Sequence, residues 1–191
     1  MLIPVVEDGL ERLLRATLPL PPEQGDISFD QPSAQWSAQV NRLTVNLFLY
    51  GVSRSSQASR TPMTRTTSEG VVERRFALPM VQLSYLVSAW AGSPRDEHEL
   101  LGDVLTRLLA HQVVPPEHLP RPLSSGVQLA LATDEITRPR DVWGGLGSNL
   151  KASFTLLVTV AADAYDWRTA PPEVAEVAPA LVRLTDADAS G

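Results

Sequence analysis

Cysteine is absent from this sequence of 191 residues, which excludes disulfide bonds, thiolate nucleophiles and cysteine-based metal sites. Histidine is scarce, and none of the three copies has the spacing of a metal ligand pair. Four residues after His98 stands Gly102, so the second ligand of a helical zinc site is missing. We expect neither a metal nor another cofactor.

Long apolar runs are also missing. The most continuous one near the C-terminus, LLVTVAA, is far shorter than the ~20 residues that a membrane helix needs. Acidic residues follow the N-terminal MLIPVV at once, unlike the pattern of a signal peptide. These absences predict a protein without membrane insertion that works in the reducing cytoplasm.

Positive charge is in deficit over the whole chain and is distributed unevenly. The net charge is −6 and the pI is about 5.0, which argues against nucleic acid as a partner. Residues 52–75 carry five arginines against two glutamates, a balance of +3, whereas residues 163–191 carry two arginines against six acids, a balance of −4. The arginines of the first segment are Arg54, Arg60, Arg65, Arg74 and Arg75.

Motifs that would carry catalysis are missing as well. The stretch GGLGSN, residues 144–149, has the glycines of a phosphate loop, but a helical turn precedes it and a strand pattern follows. A dinucleotide site needs the reverse order, so the stretch is better explained as a helix-to-strand connection. No G-x-S-x-G elbow occurs either. We expect no enzymatic activity and assign no catalytic, cofactor-binding or metal-binding residue.

The periodicity of apolar residues predicts two main helices and five strands. Helical spacing marks residues 2–17 and 93–111, and Ser93, Pro94 and Asp96 give the second helix a clear N-terminal signal. Strand patterns occur in DISFD, LTVNLFLYG, VQLSYLVSAW, VQLALA and SFTLLVTVA, with a short helix around RDVWGGLG. Because neighbouring strands often lack an intervening helix, we expect an α+β fold with a single mixed or antiparallel sheet and helices mainly on one face.

Residues 53–70 form a polar, arginine-rich loop within an α+β domain that we assign to residues 1–162. The only apolar residues in the loop are Ala58 and Met63. Ordering a residue costs about 1–2 kcal/mol of backbone entropy, which so little burial does not offset. We therefore expect the loop to be mobile in the isolated chain and to become ordered against an acidic partner surface.

Residues 163–191 form an acidic extension rich in proline and alanine, without a periodic apolar face. We expect it to cross another surface or to stay mobile. Trp36 and Trp167 stand in segments without regular periodicity, where aromatic residues often anchor contacts. With the five arginines of residues 52–75, they complete the set of candidate partner-interface residues.

Several stretches of the sequence, taken in their order along the chain, resemble a known protein family, although no single motif does so. ISFDQP, a tryptophan, NRLTVNLFLYGV, LSYLVSAWA, DEHELLGDVLTRLLAH and DVWGGLGSNLKASFTLLVTV follow one another over roughly residues 3–162. This pattern resembles the cap, or tail-terminator, family of phage-tail-like contractile injection systems of the antifeeding-prophage type. The resemblance implies a tail-terminator-like fold and a non-enzymatic structural protein.

In that family a six-fold ring closes the distal end of the inner tube and of the contractile sheath. The expected partners are therefore further copies of this chain, in a hexamer, and the tube and sheath proteins. Two alternatives stay open at this point. One is an adaptor domain that docks an acidic partner through the arginine-rich loop, and the other is an enzyme whose site the sequence does not reveal.

Overall fold

Two helices cover one face of a five-stranded sheet in the computed structural model, which describes residues 1–133 and 138–171. The elements in chain order are α1 (Leu2–Thr17), β1 (Gly25–Ser28), α2 (Ala34–Ser37), β2 (Leu43–Arg54), β3 (Met63–Thr66), β4 (Val72–Arg75), β5 (Met80–Trp90), α3 (Pro94–Leu109), a 3-10 turn (Pro116–His118), β6 (Gln128–Leu131), α4 (Pro139–Leu146), β7 (Ser153–Ala161) and β8 (Arg168–Thr169). The predicted α+β class is confirmed.

The helices begin and end where their local chemistry requires it. Ser93 caps α3 by accepting a hydrogen bond from the backbone N–H of Asp96, and Pro94 takes the first turn, where its missing N–H costs nothing. The helix α4 ends at Leu146, within the GGLGSN stretch, and is capped by Gly147, whose φ of 63° is the left-handed conformation that glycine adopts without strain. That stretch is therefore a helix-to-strand connection.

The main sheet has the strand order β1-β2-β5-β7-β6. β1 runs parallel to β2 and the other neighbours are antiparallel, so the sheet is mixed. One face of it, with Val45, Leu83, Val87 and Val158 among its buried residues, packs against α1 and α3 and forms the core. The opposite face meets α4, because Trp143 is buried there and donates a hydrogen bond to Ser153 Oγ at 2.9 Å.

A second, three-stranded sheet with the order β3-β4-β8 lies beyond the five-stranded one, and the sequence pattern does not indicate it. Its strands are mostly exposed, so they lack the apolar alternation that predicts a strand. Gly70, with a φ of 78°, permits the turn between β3 and β4. We call β3, β4 and β8 the small sheet.

The small sheet takes strands from both segments whose sequence pattern differs from that of the core, the polar loop and the acidic extension. β3 lies within the polar loop of residues 53–70, and β2 continues into that loop as far as Arg54. β8 lies within the acidic extension, of which residues 172–191 fall outside the described part of the chain. The domain boundary at residue 162 stays a prediction.

Candidate partner interface

The small sheet sits at one end of the main sheet. β4 leads through residues 76–79 into the start of β5, and β7 ends at Ala161, opposite Met80 in the register. The segment that follows β7 then crosses to β4, where Arg168 pairs with Arg74 and Thr169 with Glu73. Strand order thereby brings residues 63–75 together with residues 163–171.

One face of the small sheet is held together by contacts within the chain. Arg65 Nε donates to Glu73 Oε2 at 2.7 Å. The Arg65 guanidinium also lies over the Trp167 ring, with its carbon 4.3 Å from the ring centroid. Such cation–π contacts favour a fixed position of the indole. Arg65 and Trp167, both candidate interface residues, therefore contact each other.

Arg75 connects three segments of the chain. Its Nε donates to the carbonyl oxygen of Tyr165 at 2.7 Å, its Nη2 to Asp163 Oδ1 at 2.9 Å and its Nη1 to Ser124 Oγ at 3.4 Å. The side chain is 12% exposed. Because a guanidinium offers donors in a fixed fork, this arrangement fixes the direction in which the chain leaves β7. Arg75 thus holds the segment that follows β7 against β4.

The other face of the small sheet is open. Arg74 and Arg168 are direct neighbours across β4 and β8, and both are exposed. Phe76 is 59% exposed and its ring lies 5.8 Å from the Arg168 guanidinium carbon, so the two side chains share this face. Together with Pro62 they line a surface groove of about 420 Å³. Two cations beside an exposed aromatic ring suit an acidic partner.

Arg54 and Arg60 stand at the same end of the molecule. Both are exposed. The backbone around them is anchored, because Ser55 N donates to Met80 O at 2.9 Å and Arg60 N donates to Leu78 O at 3.0 Å. In residues 1–133 and 138–171, neither arginine forms an ion pair.

Trp36 lies far from these arginines, at the other end of β5. It belongs to the short helix α2, donates from Nε1 to Asp30 Oδ2 at 3.2 Å and packs edge-on against Trp90, with ring centroids 5.2 Å apart. Lys151 Nζ lies 4.4 Å from the Trp90 ring centroid and pairs with Glu97. The predicted interface residues therefore fall into two separate places.

Three residues at the small sheet, Arg168, Phe76 and Asp163, are not among the site residues that the sequence predicts. In the sequence, Arg168 and Asp163 count only as charges of the extension, because nothing in their local pattern says that the chain returns to β4. Arg75 and Asp163 are 88 residues apart in the chain, and the order of strands brings them together. Their contact therefore leaves no local signal in the sequence. Only Phe76 has a feature in the sequence that indicates an interface residue, because this aromatic residue directly follows two arginines.

Tyr85 in the core and the half-buried Glu7 beside it have shifted pKa values. The Tyr85 hydroxyl has no hydrogen-bond partner among the described residues. Burial first, and the nearby Glu7 charge second, raise the pKa of Tyr85 above its ordinary value. Burial also raises the pKa of Glu7, with a further contribution from Asp8. The Glu7 carboxylate influences the hydroxyl through its charge but does not reach hydrogen-bond geometry with it.

Metal-binding clusters and membrane-spanning helices are both missing from residues 1–133 and 138–171. No group of three histidine, aspartate or glutamate side chains could hold a metal ion there. In the same ranges, no helix has the length and apolar character needed to span a bilayer.

Comparison with known proteins identifies the family. The model of the Pvc16 N-terminal domain matches residues 5–176, which is most of the chain and includes both sheets. The chain belongs to the Pvc16 N-terminal domain family. No curated protein matches it. The match extends past residue 162, so the family domain includes β8 and the Arg75–Asp163 contact.

Two solved structures of similar fold agree with this family. One is the sheath/tube terminator of an extracellular contractile injection system, PVC, seen by cryo-EM in its extended state, with a TM-score of 0.69 and 19% identity. The other is the tube-terminating cap of the anti-feeding prophage, with a TM-score of 0.58 and 18% identity. At these identities the likeness establishes the fold, and the predicted terminator-like fold is confirmed.

The chain spans only part of these two proteins. The alignment covers 98% of this chain and 66% of the first protein, and 95% of this chain and 60% of the second. Both larger proteins therefore contain further chain that has no counterpart in this sequence.

Proposed function

We propose that this chain is a structural cap of a contractile injection system, which forms a six-fold ring and closes the distal end of the inner tube and sheath. The observation that carries the proposal is the family match over residues 5–176, together with the likeness in fold to a sheath/tube terminator and to a tube-terminating cap. The proposal includes the absence of catalysis, since both similar structures are named for a capping role.

Stacked rings need such a cap for a physical reason. Identical subunits that stack head to tail join unlike faces, so the last ring always leaves one face without a partner. A ring that complements this face and offers no equivalent face beyond it ends the growth. Capping of this kind requires binding alone.

The partners in this proposal are further copies of the chain and the tube and sheath subunits. The exposed arginines at the small-sheet end, Arg54, Arg60, Arg74 and Arg168, supply the positive surface for an acidic contact. Nucleic acid is not a partner in the proposal, because the chain as a whole carries a charge of −6. Assembly takes place in the cytoplasm, on particles that are not inserted in a membrane.

A labelling experiment tests the position of the chain. Met1 is 96% exposed, so a small epitope tag can be attached there without disturbing the core. Electron micrographs of gold-labelled particles should show label at one end only, and the mass of the purified tagged protein should be that of a closed ring. Label along the sheath or absent from particles, with a monomeric mass, would contradict the cap and favour an adaptor that binds acidic partners.

A further inference from the structure

The open face of the small sheet carries charge that nothing in the described chain neutralises. Arg74 and Arg168 are direct cross-strand neighbours, and neither forms an ion pair within residues 1–133 and 138–171. Like charges directly opposite each other destabilise a sheet. Val72, on the same face, is 44% exposed and Phe76 is 59% exposed. We call Val72, Arg74, Phe76 and Arg168 the basic patch.

A matching surface of opposite charge lies on α3. Asp96, Glu99 and Asp103 are spaced three and four residues apart, which places them on one side of the helix. Asp96 and Glu99 are exposed and Asp103 is half-buried. None of the three pairs with a cation among the described residues, whereas Glu97 beside them pairs with Lys151. We call Asp96, Glu99 and Asp103 the acidic stripe.

The two surfaces stand at opposite ends of one strand. The basic patch precedes β5, which starts at Met80, and the acidic stripe begins shortly after β5 ends at Trp90. Eleven residues of extended chain at ~3.3 Å each separate the two ends by about 33 Å. The patch and the first turns of α3 in one molecule are therefore too far apart to neutralise each other.

We propose that the basic patch of one copy binds the acidic stripe of a second copy, as the head-to-tail contact of the ring. The contact rests on the proposed ring and adds the surfaces that form it. Unlike surfaces at opposite ends of a subunit are what a cyclic assembly needs, because each copy uses both at once. Pairing also relieves the repulsion within each surface, and Phe76 supplies an aromatic residue of the type that is enriched in interface cores.

Charge reversal provides the first test, in the full chain. The variant Arg74→Glu/Arg168→Glu and the variant Asp96→Arg/Glu99→Arg should each lose the ring mass in native mass spectrometry. An equimolar mixture of the two should regain it, because every patch then faces a stripe of opposite charge in an alternating ring. The chain with all four substitutions should also regain it. Arg140→Glu and Glu117→Arg, at exposed positions outside both surfaces, are matched controls that should keep the ring.

Cross-linking provides a second test, which the absence of native cysteine makes specific. Thr64 lies on the face of the basic patch, opposite Arg74, and Gly102 is exposed beside Glu99 and Asp103. The full chain with Thr64→Cys and Gly102→Cys should form disulfide-linked dimers and larger species under mild oxidation, several-fold above a chain with Arg140→Cys and Gly102→Cys.

Two results would overturn the proposal. One is a ring that survives both charge reversals. The other is a ring that is lost in both variants and not regained in their mixture, together with cross-linking no higher than in the control. Either would leave the cap function itself intact, because end-labelling of particles tests that function independently. Absence of label from particle ends would refute the function whatever the contact between copies.

Discussion

At the scale of single residues, the fold leaves no room for a side chain at Gly25. A Cβ there would lie 2.4 Å from Leu20 Cδ1 and 2.6 Å from the carbonyl oxygen of Leu43. Because β1 and β2 are paired through these residues, the backbone cannot move apart cheaply. Gly25→Ala should lower the free energy of unfolding by about 1–3 kcal/mol, as overpacking does, in chemical denaturation.

Gly102 gives the matched control for this change. It lies in α3 with no neighbouring atom within 4 Å of the position that a Cβ would take, and helix interiors favour alanine over glycine. Gly102→Ala should raise the free energy of unfolding by about 0.5–1 kcal/mol. If both variants had the same stability as the original chain, Gly25 would not be packed as closely as described.

Glu7 should make stability depend on pH in a direction that its environment fixes. Burial raises the pKa of Glu7 above its ordinary value of 4.5, so the folded chain holds this proton more tightly than the unfolded chain. The contribution to stability is therefore complete below the unfolded pKa and is lost as the pH rises through the folded pKa. Glu7→Gln should raise the melting temperature at pH 7 and lose that advantage towards pH 3.

The control for this titration is Glu117→Gln, at an exposed position. Its melting temperature at pH 7 should equal that of the original chain, because substitutions at exposed positions change stability little. A Glu7→Gln variant that is less stable than the original at pH 7 would show that the ionised carboxylate stabilises the fold, against this account.

At the scale of elements, the sequence predicts the helices and strands that bury apolar side chains at regular spacing. The leucines of α1, the caps of α3 and the apolar alternation of β5 all have local causes, so their positions can be predicted closely. The small sheet cannot be predicted in this way, because its exposed strands have no apolar periodicity and β8 comes from a distant part of the chain. For the same reason Arg65 and Arg75, predicted as partner contacts, have intramolecular contacts that the sequence could not reveal.

Truncation tests the role of the segment that follows β7. A chain that ends after Asp163 lacks β8 and Trp167, so the β3–β4 hairpin loses a neighbouring strand and the ring beneath Arg65. We expect the five-stranded sheet to stay folded, amide exchange in residues 63–75 to accelerate, and assembly to weaken. A chain that ends after Pro171 is the control, because it keeps β8. Unfolding of the whole protein in the shorter chain would place the domain boundary beyond residue 162.

The polar loop gives a second prediction at this scale. Between Ser55 and Met63 the amides of Gln57 and Arg60 donate hydrogen bonds, to Ser55 Oγ and to Leu78 O. Ordering the other residues of this stretch costs about 1–2 kcal/mol each with little burial in return. Hydrogen exchange should therefore be fast for residues 58–61 apart from Arg60 in the isolated chain, and slower on assembled particles. Strong protection of the whole stretch in a monomer would contradict this.

At the scale of the whole molecule, the two ends of β5 differ in charge. The end at Met80 carries the basic patch, and the end at Trp90 leads to the acidic stripe and to the Trp36–Trp90 contact. A subunit with unlike ends can join a ring through one pair of surfaces and leave others free for the tube and sheath. The Pvc16 N-terminal domain fold thus supplies the core, and we propose that its charged surfaces form the contacts of the assembly.

The central claim is that this chain ends the growth of a tube and sheath, and the length of particles tests it most directly. Particles from cells that lack the chain, measured by electron microscopy, should have tubes or sheaths of uncontrolled length or should be unstable, while the other components are still expressed. Restoring the full chain should restore a uniform length. Particles of normal length that still carry an intact density at the distal end would contradict the claim.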